Sequence, residues 1–128
     1  MVLDTHILIW FITDDPRLST ELRSQMEANP ENVYVSAVCI WEICLAHQKG
    51  RLGLKFADLK EGVFRMVTAP GFKFIELTPA MAVSARTLEF RHEDPADRFI
   101  AATAHVLGVP LATADPLLQN LPWLQTIQ

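Results

Sequence analysis

Short apolar, β-rich segments alternate along this chain with longer stretches that read as helix. Val2-Leu3, residues 33–35, 72–77 and 109–112 read as strands. Between them the sequence predicts helices over Thr5 to Ile12, Ser19 or Thr20 to Ala28, Ser36 to Gly50, Phe56 to Thr68, Thr78 to Phe90 and Asp94 to Gly108. Pro116 to Asn120 reads as a short helix, and Trp123 to Ile127 as a last edge strand. The punctuation is chemical. Ser, Thr and Asp stand where a helix start needs an acceptor, Pro79 and Pro95 fit first helical positions, and Gly50 and Gly108 fit left-handed ends. Strands separated by helix-length crossovers form parallel sheets covered on both faces. The expected class is therefore an α/β sandwich, with residues 14–16 and Asn29-Pro30 as turns.

At 128 residues the chain suits one domain spanning 1–128, since two cores would each bury too little surface. The longest apolar run, Ile7 to Ile12, falls far short of the ~20 residues of a membrane span. Neither a basic start nor a small-residue cleavage site marks an export signal. The expected location is the cytoplasm, and no membrane partner is expected. Cys39 and Cys44 lie about 140° apart around one helix at ~100° per residue. They are expected to be buried, reduced thiols. The formal net charge of −4 has the wrong sign for a protein holding nucleic acid by a basic face. Any such function must work through a local site or a bound cation.

In parallel sheets, ligands bind beyond the carboxyl ends of the strands, and four carboxylates are placed to meet there. Asp4 follows the first strand among Val2, Leu3, Ile7 and Leu8, which draw it inward, where an unpaired charge is costly. Glu42 is the one charged residue between Val38 and Ala46, where a solvated stripe would carry polar neighbours. Asp97 sits in the first turn after Asp94-Pro95, where spacing alone allows either a ligand or an acid favoured by the helix dipole. Asp115 reads equally as a ligand, a turn residue or a cap, whereas Asp94 reads as the cap itself and Asp14 and Asp15 as turn or cap residues. Uncompensated carboxylates raise one another's pKa values, and a hard divalent cation removes the conflict. Oxygen donors select Mg²⁺ or Mn²⁺ over Zn²⁺. His6, His47, His92 and His105 show no zinc spacing with either cysteine. P-loop, GxGxxG and GxSxG signatures are missing from the sequence. Hydrolysis of a phosphodiester at a bound cation fits an acidic protein acting on an anionic substrate.

Leu3-Asp4-Thr5-His6, Ser36-Ala37-Val38 leading to Trp41-Glu42-Ile43, Asp94 to Ala104, and Thr113-Ala114-Asp115 together resemble the PIN domain, in order and over the whole chain. The resemblance is closest to VapC-type toxins of bacterial toxin–antitoxin pairs. It implies a PIN-like α/β/α sandwich with a central, mostly parallel sheet. It also implies a Mg²⁺-dependent (or Mn²⁺-dependent) endoribonuclease that inhibits translation, a homodimer, and neutralisation by a cognate antitoxin. By matching position it assigns Asp4, Glu42 and Asp97 to the acidic triad and Asp115 as the fourth acid, as catalytic and metal-holding residues. Thr5, Ser36 and Thr113 fall beside the acids as orienting groups, and Arg98 as a partner of the substrate phosphate or of an acid. The helix from His6 to Ile12 has no polar face, so an exposed apolar groove for a partner is expected there, while Trp41 and Trp123 read as core or edge packing. The competing readings are a catalytically silent PIN-fold binding module and a receiver-like signalling domain. The latter needs a lysine after a late strand, and of lysines 49, 55, 60 and 73 only Lys73 is near a strand, at its start.

Overall fold

A computed structural model of the chain describes residues 1–91 and 93–128, so His92 and its expected lack of a metal role lie outside the described residues. In chain order the elements are β1 (Val2–Leu3), α1 (Thr5–Ile12), α2 (Thr20–Ala28), a 3-10 turn (Pro30–Asn32), β2 (Tyr34–Ser36), α3 (Ala37–Gln48) and α4 (Leu59–Thr68). They continue with β3 (Lys73–Ile75), α5 (Pro79–Thr87), α6 (Pro95–Leu107), β4 (Leu111–Ala112), α7 (Pro116–Gln119) and β5 (Thr126–Ile127). The strands form one sheet in the order β3-β2-β1-β4-β5, and every neighbouring pair is parallel. The helices pack on it as an α/β/α sandwich. Among the described residues no helix is long and apolar enough to cross a membrane.

The core explains why such short strands suffice. Val2, Leu3, Val35, Leu111 and Ala112 are fully buried, as central parallel strands must be when both faces are covered. Ile7, Leu8, Ile43, Ile100 and Leu118 close over them from the helices. Deleting one such side chain to alanine costs about 2–5 kcal/mol.

Helix caps fall where the sequence signals them. Ser19, Ser36, Thr78 and Asp94 each accept a backbone N–H at the start of their helix, and Gly108 ends α6 at φ 65°. Two helix boundaries differ from expectation. α4 starts at Leu59 rather than Phe56, because Asp58 accepts the Glu61 N–H at 2.8 Å and fixes the start there. α5 stops at Thr87 instead of running to Phe90. Tertiary contacts pull the next residues out of the helix: the Trp123 indole donates to the Glu89 carbonyl at 2.7 Å, and Phe90 packs edge-on against Trp123. β3 and β4 are likewise shorter than the apolar runs that announce them.

Three side-chain expectations are corrected. Cys39 is buried, but Cys44 is only half-buried; both are free thiols. Trp41 is 61% exposed rather than packed, while Trp123 does pack at the edge. On α1, Ile9, Trp10, Phe11 and Ile12 are partly buried, and no large exposed apolar residue lies on this helix. The Arg17 guanidinium lies over Trp10 and that of Arg23 over Phe11, each 4.8 Å from the ring centre, so cations occupy the outer faces of two rings of the expected groove.

Candidate acidic site at the sheet edge

The strand order reverses between β1 and β4, and at such a switch point the chain leaves both carboxyl ends pointing at one crevice. Asp4 leaves β1 there, and Thr113 leaves β4. The Thr113 hydroxyl donates to Asp4 Oδ2 at 2.6 Å across 109 residues of sequence, and its oxygen accepts the Asp115 N–H at 3.1 Å. One buried hydroxyl thus ties two of the expected acids together. On the neighbouring helix the Thr5 hydroxyl donates to Glu42 Oε1 at 2.5 Å, orienting the carboxylate of α3 from α1. Ser36 serves as the α3 cap, accepting the Val38 N–H at 3.2 Å.

All four expected acids line a single open cavity of about 400 Å³, together with Asp94, His6 and Arg17. Asp94 and Asp115 are also helix caps: Oδ1 of each accepts a backbone N–H, from Ala96 and Leu117 respectively. Capping and cavity lining are thus compatible in both, which spacing alone left open. Arg17 brings a positive charge to the rim, but its guanidinium is already clamped on Asp15, with contacts of 2.9 and 2.6 Å. The cavity therefore gathers five carboxylates, with His6 and Arg17 the basic side chains among its lining.

The carboxyl groups register that environment. Asp97 is pushed up to about 7, by burial first and then by the charges of Asp4, Asp94, Glu42 and Asp115. Asp4 is raised by burial against the opposing effect of the Thr113 hydroxyl, and Glu42 by burial against the Thr5 hydroxyl. Beneath them the Cys39 thiol contacts the Leu3 carbonyl at 3.4 Å, and burial pushes it up to about 12, so it is an inert packing group.

The donor set is carboxylate oxygen, which suits a hard divalent cation that keeps part of its water shell. Among the described residues no group of three or more His, Cys, Asp or Glu side chains is gathered closely enough to hold a metal ion as it stands, so the acids line an open space and not a ready-made site. By donor chemistry and mutual repulsion these carboxylates suit a hard cation such as Mg²⁺ or Mn²⁺ better than a soft one.

Arg98 is absent from this cavity. Its guanidinium turns to the other side of α6, where Nε donates to the Ala85 carbonyl at 2.8 Å and the group stacks 4.5 Å over Phe90. It pairs with an acid, Glu93 at 3.6 Å, and not with a site that would hold phosphate. Sequence reasoning also missed an apolar pocket of about 320 Å³ beside the acids, between Trp41, Val38, Leu77 and Phe99. The isolated Trp41 next to Glu42 was its visible trace.

The family model of the PIN domain matches residues 1–124. Ribonuclease VapC22 of Mycobacterium tuberculosis is 28% identical over 121 residues, covering 94% of this chain and 90% of that protein. Among solved structures, DNA-bound VapBC from Salmonella typhimurium superposes with a TM-score of 0.73 at 16% identity, covering 98% of this chain and 95% of that one. VapBC2 from Rickettsia felis, bound to a DNA fragment from its promoter, gives 0.70 at 15% identity, covering 98% and 96%. At such identities the structural likeness speaks to the fold.

Proposed function

This chain belongs to the PIN-domain family, and from that premise we propose that it is a divalent-metal-dependent endoribonuclease toxin, neutralised by a cognate antitoxin. The observation that carries the reading is the convergence of Asp4, Glu42, Asp97 and Asp115 on one cavity at the sheet's switch point. A structural role accounts for Asp115 as a cap but not for the gathering, because carboxylates brought together raise one another's pKa values. The same observation weighs against a binding-only module.

In this reading the four acids hold Mg²⁺ or Mn²⁺. When bound, such a cation neutralises phosphate oxygens and acidifies water at neutral pH. The chain's own part is to hold the geometry. Thr113 fixes the Asp4 carboxylate and Thr5 that of Glu42, while the caps of α6 and α7 fix Asp94 and Asp115 through one oxygen each. Fixed acceptors of this kind place an attacking water in line with the phosphorus and take its proton. Ribonuclease VapC22 is named for its activity, and a similar structure from Klebsiella pneumoniae (TM-score 0.67 at 21% identity, covering 99% of this chain and 95% of that one) is titled a toxin–antitoxin complex. Those names support the substrate class and the antitoxin, and a homodimer in the cytoplasm completes the proposal.

The test uses the purified chain, freed of any partner, with mixed transfer and ribosomal RNA. Discrete fragments are expected with Mg²⁺ or Mn²⁺, none with EDTA, and none from Asp4→Asn. Cleavage that survives EDTA or Asp4→Asn contradicts the assignment. Tight metal binding without any cleavage supports the silent module instead.

A further inference from the structure

The acid cavity continues past Glu42. On its far side a second cleft of about 270 Å³ opens, and His6 and Glu42 are walls of both. Lys49 and Arg51 bring cations to the lining of this cleft. Arginines 17, 23, 65, 86 and 98 each lie within 4.0 Å of a carboxylate. Among the described residues, Lys49 and Arg51 take part in no such ion pair and stand exposed, as do Lys55, Lys60, Lys73 and Arg91, but of these only Lys49 and Arg51 line the cleft.

Their position is built into the backbone. Lys49 caps α3, and Gly50 follows in the left-handed region at φ 64°, where a side chain would be strained. The Gly50 N–H then bonds the His47 carbonyl at 3.0 Å, and the Arg51 N–H reaches back to Ala46 at 2.9 Å. This closed turn holds the two cations at the end of the helix that carries Glu42, about two turns back along it and lining the same cleft. A chain of net charge −4, with five carboxylates around its centre, repels a polyanion unless some cations are held back from internal pairing.

Building on the nuclease reading, we propose that the Lys49–Arg51 turn is a phosphate subsite that grips the RNA strand beside the scissile bond. A polynucleotide carries further phosphates on each side of the reacting one. A cationic cleft continuous with the acid cavity meets such a phosphate when the scissile one sits among the carboxylates. An acidic protein segment has no comparable reason to keep that register. Both residues are positioning residues, remote from the reacting atoms, so their removal raises KM and spares kcat.

The experiment compares the full wild-type chain with the Lys49→Gln/Arg51→Gln double variant and the Lys49→Arg/Arg51→Lys exchange. Steady-state cleavage of a labelled single-stranded RNA gives KM and kcat. Fluorescence anisotropy of the same RNA in EDTA, across a series of NaCl concentrations, gives the salt slope. The double variant is expected to raise KM about tenfold, leave kcat within about twofold, and flatten the log–log slope by about 0.7 per lost phosphate contact. The charge-preserving exchange is expected to behave as wild type. An unchanged KM and slope overturns the subsite. So does a lowered melting temperature with unchanged RNA affinity, which identifies the pair as counter-charges to the helix dipole only. Loss of binding to an acidic peptide with RNA binding intact overturns it in favour of a protein partner. Should the wild type cleave nothing, the nuclease reading fails, while the salt slope in EDTA still decides the subsite by itself.

Discussion

Asp97 and Arg98 are consecutive on α6, yet they lead into opposite environments. Asp97 faces the cavity where Asp4, Asp94, Glu42 and Asp115 add to its charge, and its carboxyl is driven up to about 7. Arg98 faces the α5–α6 seam, where a carbonyl, an aromatic ring and a carboxylate satisfy it. Both are ionisable groups drawn away from water, but Asp97 sits among four charges of its own sign and Arg98 beside one of the opposite sign. A charge beside an opposite one holds a fold together, whereas a gathering of like charges favours a counter-ion from outside.

Substitutions should separate these two regions. The largest effect is expected from Asp97→Asn, which removes charge with little change in volume. Cleavage should fall by about 100-fold or more, since a ligand to the reacting centre is lost. Thermal melting of the metal-free variant should match or exceed wild type, because like-charge repulsion is relieved. Retained cleavage would break the comparison at its acidic end. Thr113→Val comes next, with a loss of about 10–100-fold, as for partners that orient metal-holding groups. Thr113→Ser should recover most of it, since the hydroxyl bonding Asp4 is kept. On the structural side, Arg98→Met should lower stability by about 2 kcal/mol in chemical denaturation, the scale of a charge-assisted hydrogen bond. Its kcat per folded molecule should stay at the wild-type value, and a selective loss of kcat would move Arg98 into the catalytic region.

The pH dependence sharpens the same contrast. The Asp97 carboxyl is raised above its unfolded value, so between about pH 4 and 7 the native state binds more protons than the unfolded one. Stability of the metal-free protein therefore falls as pH rises through that window. Added Mg²⁺ should restore it most strongly above pH 7, where the acids are ionised. Differential scanning fluorimetry with and without EDTA reads both trends, and Asp97→Asn should flatten them. A metal-free protein that grows more stable from pH 4 to 7 contradicts the reading.

The sequence carried the acidic region more fully than its surroundings. Asp4 and Glu42 were legible because each breaks a local rule, whereas Asp97 and Asp115 suit a first-turn acid and a cap and were singled out by the family resemblance. Glu42 interrupts an apolar helix, and Asp4 ends a strand that must be buried. Strand-to-helix alternation then points their positions to the same sheet edge. Local chemistry also placed the caps Ser36, Asp94 and Gly108. What escaped was set by contacts distant in sequence. The direction of Arg98 depends on Ala85 within α5 and on Phe90, which lies beyond the early end of α5 and packs against Trp123. The exposure of Trp41 depends on how far α3 is overlaid by neighbours that periodicity does not order. The double service of Thr113, as donor to Asp4 and acceptor for Asp115, joins two strands that become adjacent only in the folded sheet.

The central claim is that the like-charged cavity holds a divalent cation and that the α5–α6 seam does not contribute. Mn²⁺ titration followed by electron paramagnetic resonance addresses it most directly, on wild type, Asp97→Asn and Arg98→Met. The account predicts saturable Mn²⁺ binding to wild type and to Arg98→Met, weakened at least tenfold in Asp97→Asn. Equal binding by wild type and Asp97→Asn, or none by the wild type, would contradict it.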